Sequence, residues 1–349
     1  MHNLRNIRPR RPINRRDFLK VGGLIGAASV LAACGGTVSE ATQIPTQVCP
    51  TPVPTQSAEQ PTREIAVRIA HITDMHIGPD GPGVEGFTRA LRNVQARDPK
   101  IDVILNTGDS IVDALGATKE WAQAQWDAFT GVVKAECSLP IHHAIGNHDV
   151  WGWGLPPEAQ ESLRTDARFG KEWAVQELGI PNRSYSFDLA GWRFLVLDSI
   201  HLPEYAIGQA YTGKIDEEQF SWLVQQLEAT PQSMPVCVAS HIPILSACEL
   251  LDGNNESTGN WLVPGAWVHI DARRLWALFW QHPNVKLCLS GHAHQVEDLR
   301  YHSVKYLSDG AICGNYWNES DPSYMGFPPG YGVVNLYMDG SSDSEFVEY

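Results

Sequence analysis

The stretch Ile141-His142-His143-Ala144-Ile145-Gly146-Asn147-His148-Asp149 decides how the chain is read. A short, largely apolar run stops at a glycine, and the next three side chains are an amide, an imidazole and a carboxylate. A run of that length suits a strand inside a sheet. Polar side chains placed just after it fall where α/β sheets bind ligands, at the carboxyl ends of strands. The glycine lets the backbone turn sharply and leaves the following side chains unobstructed.

The same design recurs on both sides. A β-rich run over 65–72 leads to Asp74-Met75-His76, and an apolar run over 103–105 leads to Gly108-Asp109. Further on, a run over 236–239 leads to Ser240-His241, and one over 285–289 to Gly291-His292-Ala293-His294. Between these runs the periodicity predicts helices over 84–97, 119–134, 217–228 and 271–281. In the second, Ala122, Trp126, Phe129 and Val133 share one face. Residues 185–187 and 192–197 read as an antiparallel pair around Leu189-Ala190-Gly191, and the chain after His294 is β-rich without internal repeats. Five strand ends, each carrying Asp, His or Asn beside a small residue, can converge on one site.

Carboxylate, imidazole and amide oxygen together suit borderline-to-hard divalent cations such as Mn, Fe, Zn or Co. No cysteine lies in the clusters, which disfavours a closed structural zinc site. Two ions about 3.5–4 Å apart can clamp an in-line phosphoryl displacement and lower the pKa of a bridging water.

In order and spacing the five clusters resemble the calcineurin-like metallophosphoesterase superfamily, over roughly residues 65–300. The resemblance implies an α/β fold, a four-layer αββα sandwich of two mixed β-sheets flanked by helices. It implies a dinuclear metal-dependent phosphoric ester hydrolase that attacks with a metal-bridging hydroxide. Asp109 would bridge two divalent ions. Asp74, His76 and His294 would complete the first site, and Asn147, His241 and His292 the second. His148 would be the general acid for the leaving alkoxide, a role suited to a histidine with pKa near the working pH. Such a histidine needs a carboxylate to fix its tautomer. Related protein phosphatases place one three residues after the bridging Asp, where this chain has Val112; Asp113 and Asp149 are both candidates here.

The first cluster, Asp-x-His, and the closing Gly-His-x-His look most like the bacterial cyclic-nucleotide phosphodiesterase branch. Gly108-Asp109-Ser110-Ile111-Val112-Asp113-Ala114 lacks the Arg of Ser/Thr protein phosphatases, and Val112 stands where purple acid phosphatases carry a Tyr ligand. The substrate expected is a small phosphate ester, a phosphodiester before a monoester, with nucleotides among the candidates. No Arg or Lys occurs within 74–87, 146–161 or 240–269, and few cations at the site favour a singly charged diester over a dianion. A phosphomonoesterase on the same site, a surface lipoprotein that binds a phosphate-bearing ligand without turnover, and an envelope scaffold remain as rivals.

Other residues carry less. His71, His142 and His143 lie on apolar runs and are expected in the core, and no chemistry is expected of His201. Cys237 and Cys288 sit in strand-like runs and read as ordinary core residues. Trp151, Trp153, Trp261 and Trp267 follow ligand clusters and either wall the substrate pocket or pack beneath long loops. Asn315-Tyr316-Trp317 and the Gly/Pro-rich segment 326–330 are candidates for the rim.

The head of the chain is different in character. Seven of the 26 basic residues precede position 21, and Asn14-Arg15-Arg16-Asp17-Phe18-Leu19-Lys20 resembles a twin-arginine export signal. The apolar run 21–33 spans about 20 Å as a helix, short of a ~30 Å hydrocarbon core. Leu31-Ala32-Ala33-Cys34 resembles a lipobox, which makes Cys34 the expected lipidated residue. Residues 1–34 therefore read as a signal peptide, 35–63 as a Pro/Thr-rich linker and 64–349 as the phosphoesterase domain. The expected location is the periplasmic or extracellular face, with membrane contact only through the lipid. The formal charge of −14, about −20 without the head, argues against a nucleic-acid-binding surface.

Overall fold

Alternation along the strands places two cores on the two faces of one sheet. In the strand Trp192–Val196 (β5), Phe194 and Val196 join one apolar cluster while Leu195 joins another. The strand Val236–Ala239 (β8) does the same, with Cys237 and Ala239 on one side and Val236 and Val238 on the other. A sheet buried on both faces has near-continuous apolar strands, which is how these runs read in the sequence. The computed structural model describes residues 63–203, 210–251 and 255–349, all within a unit spanning Pro61–Tyr349. Arg15, Arg16, Cys34 and the linker lie outside the described residues.

The first sheet has five strands. In spatial order they are Ser342–Glu348 (β13), Gly330–Tyr337 (β12), Ile65–Ile72 (β1), Val103–Asn106 (β2) and Ile141–His143 (β3). β1, β2 and β3 run parallel, and β12 and β13 add antiparallel neighbours. The second sheet has six: Val296–Tyr301 (β10), Val304–Asp309 (β11), Val285–Ser290 (β9), β8, β5 and Tyr185–Leu189 (β4). Its four inner strands are parallel, with an antiparallel strand at each edge, and Ile200–His201 (β6) pairs antiparallel with Thr212–Gly213 (β7) in a small ribbon.

Helices Gly83–Gln95 (α1) and Lys119–Glu136 (α2) bring Phe87, Leu91, Trp126 and Phe129 to the core shared by the two sheets. Helices Glu217–Ala229 (α5) and Ala272–Gln281 (α6) bring Leu223, Leu227, Leu275 and Phe279 to the core on the second sheet's outer face. The result is the expected α/β arrangement of two mixed sheets flanked by helices. The helix starts have local causes: Thr118 accepts from Trp121 N at 3.2 Å, and Asp216 from Gln219 N at 2.8 Å.

Two details differ from the sequence expectation. The strand expected over 141–145 ends at His143. Its neighbour β2 stops at Asn106, whose carbonyl takes Ala144 N at 2.7 Å, and no ladder partner remains beyond it. The loop after Asn147 also holds two short helices that periodicity did not single out, Pro157–Leu163 (α3) and Glu172–Leu178 (α4). Seven residues give too few turns for a distinct apolar stripe.

Candidate metal centre and catalytic cleft

The carboxyl ends of β1, β2, β3, β8 and β9 converge, as the five strand-end clusters allowed. Backbone bonds join their loops: Asp74 N donates to Gly108 O at 3.0 Å, His76 N to Asp109 O at 3.1 Å, and Gly291 N to His241 O at 3.0 Å. These bonds hold an unusual backbone. Asp74, His76, Asp109, His292 and His294 all have φ between 46° and 71°. Non-glycine residues adopt this left-handed region at a cost and persist there where surrounding structure over-determines them.

Asp109 sits at the centre. Its Oδ2 lies 3.2 Å from His241 Nε2 and 3.7 Å from His76 Nε2, while Oδ1 accepts from His148 N at 2.8 Å. Around one side, Asp74 Oδ1 is 3.4 Å from His294 Nε2 and 3.9 Å from His76 Nε2. Around the other, His241 Nε2 is 3.0 Å from Asn147 Oδ1 and 3.2 Å from His292 Nδ1. All seven expected ligands thus come together in two groups that share Asp109.

These residues fit divalent cations. His294 Nδ1 donates to Gly314 O and His241 Nδ1 to Thr107 O, each at 2.9 Å, so each ring turns its Nε2 toward the cluster. The Nε2 atoms of His76 and His294 then face each other at 3.3 Å. Burial lowers His76 to about 4, so its ring is neutral near pH 7, and its other nitrogen, Nδ1, lies 3.4 Å from Val112 O. It likewise lowers His292 to about 3. Burial also opposes charge on His241, but Asp109 outweighs it and lifts that ring to about 9, the mark of a place that draws positive charge. Asp74 Oδ1 is fully buried and has no hydrogen-bond partner, while Oδ2 is held by Thr73 Oγ1 at 2.7 Å and His292 N at 2.9 Å. That buried oxygen has only the imidazole edges of His294 and His76 beside it, at 3.4 Å and 3.9 Å, and a bound cation supplies the close partner it lacks.

His148 stands at the mouth, with Nε2 4.0 Å from Asp109 Oδ2. Its Nδ1 lies 3.5 Å from Asp113 Oδ1. Asp149, the other candidate, is fully buried and faces away. Its oxygens accept from Gly146 N and Ser110 N at 2.8 Å and from Ile111 N at 3.3 Å. It ties the loop after β2 to the loop after β3.

A polar cleft of about 200 Å³ opens over Asp109, His148 and His292. Tyr316 covers the rings of His76 and His294, with centroids 4.8 Å and 4.6 Å apart. Of the four tryptophans considered, Trp267 alone lines the cleft. Trp151 is buried, with Nε1 donating to Ala117 O at 3.0 Å; Trp153 packs against the core, and Trp261 is exposed. Trp317 lies beneath the ligand loop, where Nε1 donates to Met75 O at 2.8 Å. Sequence reasoning missed Tyr211, Tyr324, Glu249 and Gln295, which also line the cleft. Sequence reasoning had no signal for the two tyrosines, since Tyr211 precedes His241 by 30 residues and Tyr324 follows His294 by 30. It also passed over Cys313, whose Sγ is 3.9 Å from His294 Nδ1, the ring edge turned away from the cluster.

Three other histidines behave as packed residues. His71 is fully buried between Asp309 Oδ2 at 2.7 Å and Thr107 Oγ1 at 2.9 Å. His143 is buried with Nδ1 3.0 Å from Asn106 Nδ2, and His142 stacks on Phe187. Cys237 and Cys288 are buried free thiols.

Two mixed sheets with flanking helices, and carboxylate, imidazole and amide donors gathered at their strand ends, define a metallophosphoesterase. Residues 67–296 match the calcineurin-like phosphoesterase family, and the chain belongs to it; it is a metal-dependent phosphoric ester hydrolase. It is 23% identical over 290 residues to a 3',5'-cyclic-nucleotide phosphodiesterase of Nostoc sp., covering 80% of this chain and 91% of the relative. It is 25% identical over 290 residues to the 3',5'-cyclic adenosine monophosphate phosphodiesterase CpdA of Escherichia coli, covering 81% and 90%. Among solved structures, a dimetal phosphatase from Danio rerio shares the fold, with a TM-score of 0.53 at 15% identity over 78% of this chain and 94% of that one.

Proposed function

We propose that the chain hydrolyses phosphodiesters, cyclic nucleotides among them, at a centre of two divalent cations. One observation carries the preference: among the described residues the cleft lining contains no Arg or Lys. Positive charge at the phosphoryl group then comes mostly from the cations, which suits a singly charged diester better than a monoester dianion. The names of the two bacterial relatives agree with this reading.

Asp74, His76, His294 and Asp109 hold the first cation, and Asp109, Asn147, His241 and His292 the second; Mn, Fe, Zn and Co all suit such donors. When bound, the ions polarise the phosphoryl oxygens and provide a nucleophile from water at neutral pH. His148 faces the cleft and gives its Nε2 proton to the leaving alkoxide. Asp113, with Oδ1 3.5 Å from Nδ1, stands where a small approach lets it accept from that nitrogen and keep the ring in the tautomer that carries the Nε2 proton. In the same reading Arg15 and Arg16 direct export through the twin-arginine pathway, and a lipid on Cys34 holds the enzyme at the periplasmic or extracellular face.

The test compares kcat/KM for bis-p-nitrophenyl phosphate and p-nitrophenyl phosphate on one metal-loaded sample. The diester is expected to be cleaved at least as well. A preference of about tenfold for the monoester, worth about 1.4 kcal/mol in the transition state, overturns the diester reading in favour of a phosphatase.

A further inference from the structure

We infer that the end of the sandwich opposite the cleft rests on a lipid surface, through Trp280 and Tyr301 with Lys286 and Arg300 beside them. The inference builds on the reading of Cys34 as a membrane anchor. It adds which face of the enzyme meets the membrane.

The metal ligands follow the carboxyl ends of the parallel strands, so the amino-terminal ends of those strands form the far side. There the turn at His302 and Ser303 joins β10 to β11, and β11 runs parallel to β9 with Lys305 opposite Leu287. Trp280, near the end of α6, is 60% exposed, and Tyr301, at the end of β10, is 47% exposed. They form one aromatic group with Trp276 and His302: the Trp276 centroid is 6.2 Å from Trp280 and 6.0 Å from Tyr301, and His302 is 4.5 Å from Trp280. An apolar groove of about 490 Å³ runs from this group between α6 and the edge strand β10, lined by Leu245, Ala272 and Leu299. Exposed aromatic clusters of this kind mark interaction sites. Trp and Tyr are the side chains that favour the membrane–water interface, because their rings are apolar and their edges polar.

Two observations select lipid as the occupant. The first is where the chain enters the fold. Arg63 is the first described residue of the domain, and its guanidinium donates to Ser341 Oγ at 3.0 Å. Ser341 lines a hollow together with Lys286, Arg300, Lys305 and one carboxylate, Asp339, beside the aromatic group. An anchor at Cys34, with 28 residues between it and Arg63, therefore tethers the domain by this end. The second is local charge. The protein as a whole carries −14, yet Lys286 and Arg300 make no ion pair among the described residues, while Lys305 and Arg63 are paired to Asp298 and Asp343. Unpaired basic side chains beside Trp and Tyr suit anionic headgroups. Seated this way, the enzyme turns its cleft toward solvent and its substrate.

Tryptophan placement makes the inference directly testable. All 12 tryptophans lie at position 121 or later, so quenching by bromine on lipid acyl chains reports the domain and not the anchor segment. The full chain, purified from membranes, is bound to phosphatidylethanolamine–phosphatidylglycerol vesicles with and without brominated chains. Flotation reads attachment and fluorescence reads contact. The expected result is flotation with quenching, most of which disappears in Trp280→Phe, a variant that retains bis-p-nitrophenyl phosphate turnover. Flotation without quenching, or quenching that Trp280→Phe leaves unchanged, leaves the anchor standing and overturns the docking face. No flotation overturns both. A dimer in lipid-free solution that Trp280→Ser dissociates assigns the patch to a second copy of the chain and also overturns the inference.

Discussion

His148 engages Asp109 twice: its backbone N–H reaches Oδ1 at 2.8 Å, and its ring Nε2 stands 4.0 Å from Oδ2 of the same carboxylate. Only the second relationship depends on the side chain. His148→Ala keeps the backbone donor that orients Asp109, so metal content is expected to stay at the wild-type level. Loss of a general acid typically costs ~10²–10⁴-fold, and kcat on a diester with a poor leaving group should fall by that order. With p-nitrophenolate, which leaves without a proton, the loss should shrink. Equal losses on both substrates, or loss of metal measured by elemental analysis, contradict the role.

Asp113 and Asp149 are predicted to fail in different ways. Burial works against a proton on His148, but Asp109 and then Asp113 outweigh it and raise the pKa above the ordinary histidine value. Asp113→Asn removes part of that support, so the acid form is lost at lower pH. The alkaline limb of the kcat–pH profile should move toward acid. Asp149→Asn leaves one carbonyl oxygen where two carboxylate oxygens accept from Gly146, Ser110 and Ile111. It should cost about 1–3 kcal/mol of stability, read as a lower Tm, with the alkaline limb unmoved.

Asp109→Asn is expected to empty both cation sites, because Oδ2 lies near imidazole nitrogens of both groups, 3.7 Å from His76 and 3.2 Å from His241. Elemental analysis should show marked loss of metal, and full two-ion occupancy contradicts the shared role. Chelation of the wild-type protein should lower Tm, since a ligand held at ~100 times its Kd stabilises by about 2.7 kcal/mol. The same chelator should leave the Tm of Asp109→Asn nearly unchanged.

The convergence of the seven candidate ligands was legible because each follows a strand within a few residues, so chain order and strand ends fix its place together. Register and direction were not legible. Asp113 and Asp149 lie at similar distances from the clusters in sequence, yet only Asp113 turns toward His148, because Asp149 is taken up by three amides. Tyr211, Glu249 and Tyr324 come from segments without periodicity, where position depends on how a loop closes over the site. The positive φ values at Asp74, His76, Asp109, His292 and His294 also have no sequence signal. Such backbone is ordinarily expected of glycine or asparagine, and here bonds between the loops impose it.

Gly146→Ala and Gly131→Ala are the same substitution with opposite expected effects. At Gly146 an added Cβ would stand 2.1 Å from both Asp109 N and Asp109 Oδ1. Neither atom can retreat cheaply: the backbone around Asp109 is pinned by His76 N donating to its carbonyl at 3.1 Å, and Oδ1 is held by His148 N. The methyl group must displace the shared carboxylate or push the loop after β3 away from the loop after β2. A clash in a packed site of this kind typically costs about 1–3 kcal/mol, and Gly146→Ala should lower Tm accordingly and reduce bound metal. Gly131 lies within α2, exposed, with nothing within 4 Å of an added Cβ. Alanine there removes backbone freedom from the unfolded chain and should raise stability by roughly 0.5–1 kcal/mol, with metal content and kcat unchanged. Thermal melts and elemental analysis of the two variants, side by side, test the geometry of the metal loops against a control in the same fold. A Gly146→Ala protein that melts at the wild-type temperature with full metal content would show that the two loops do not approach as described.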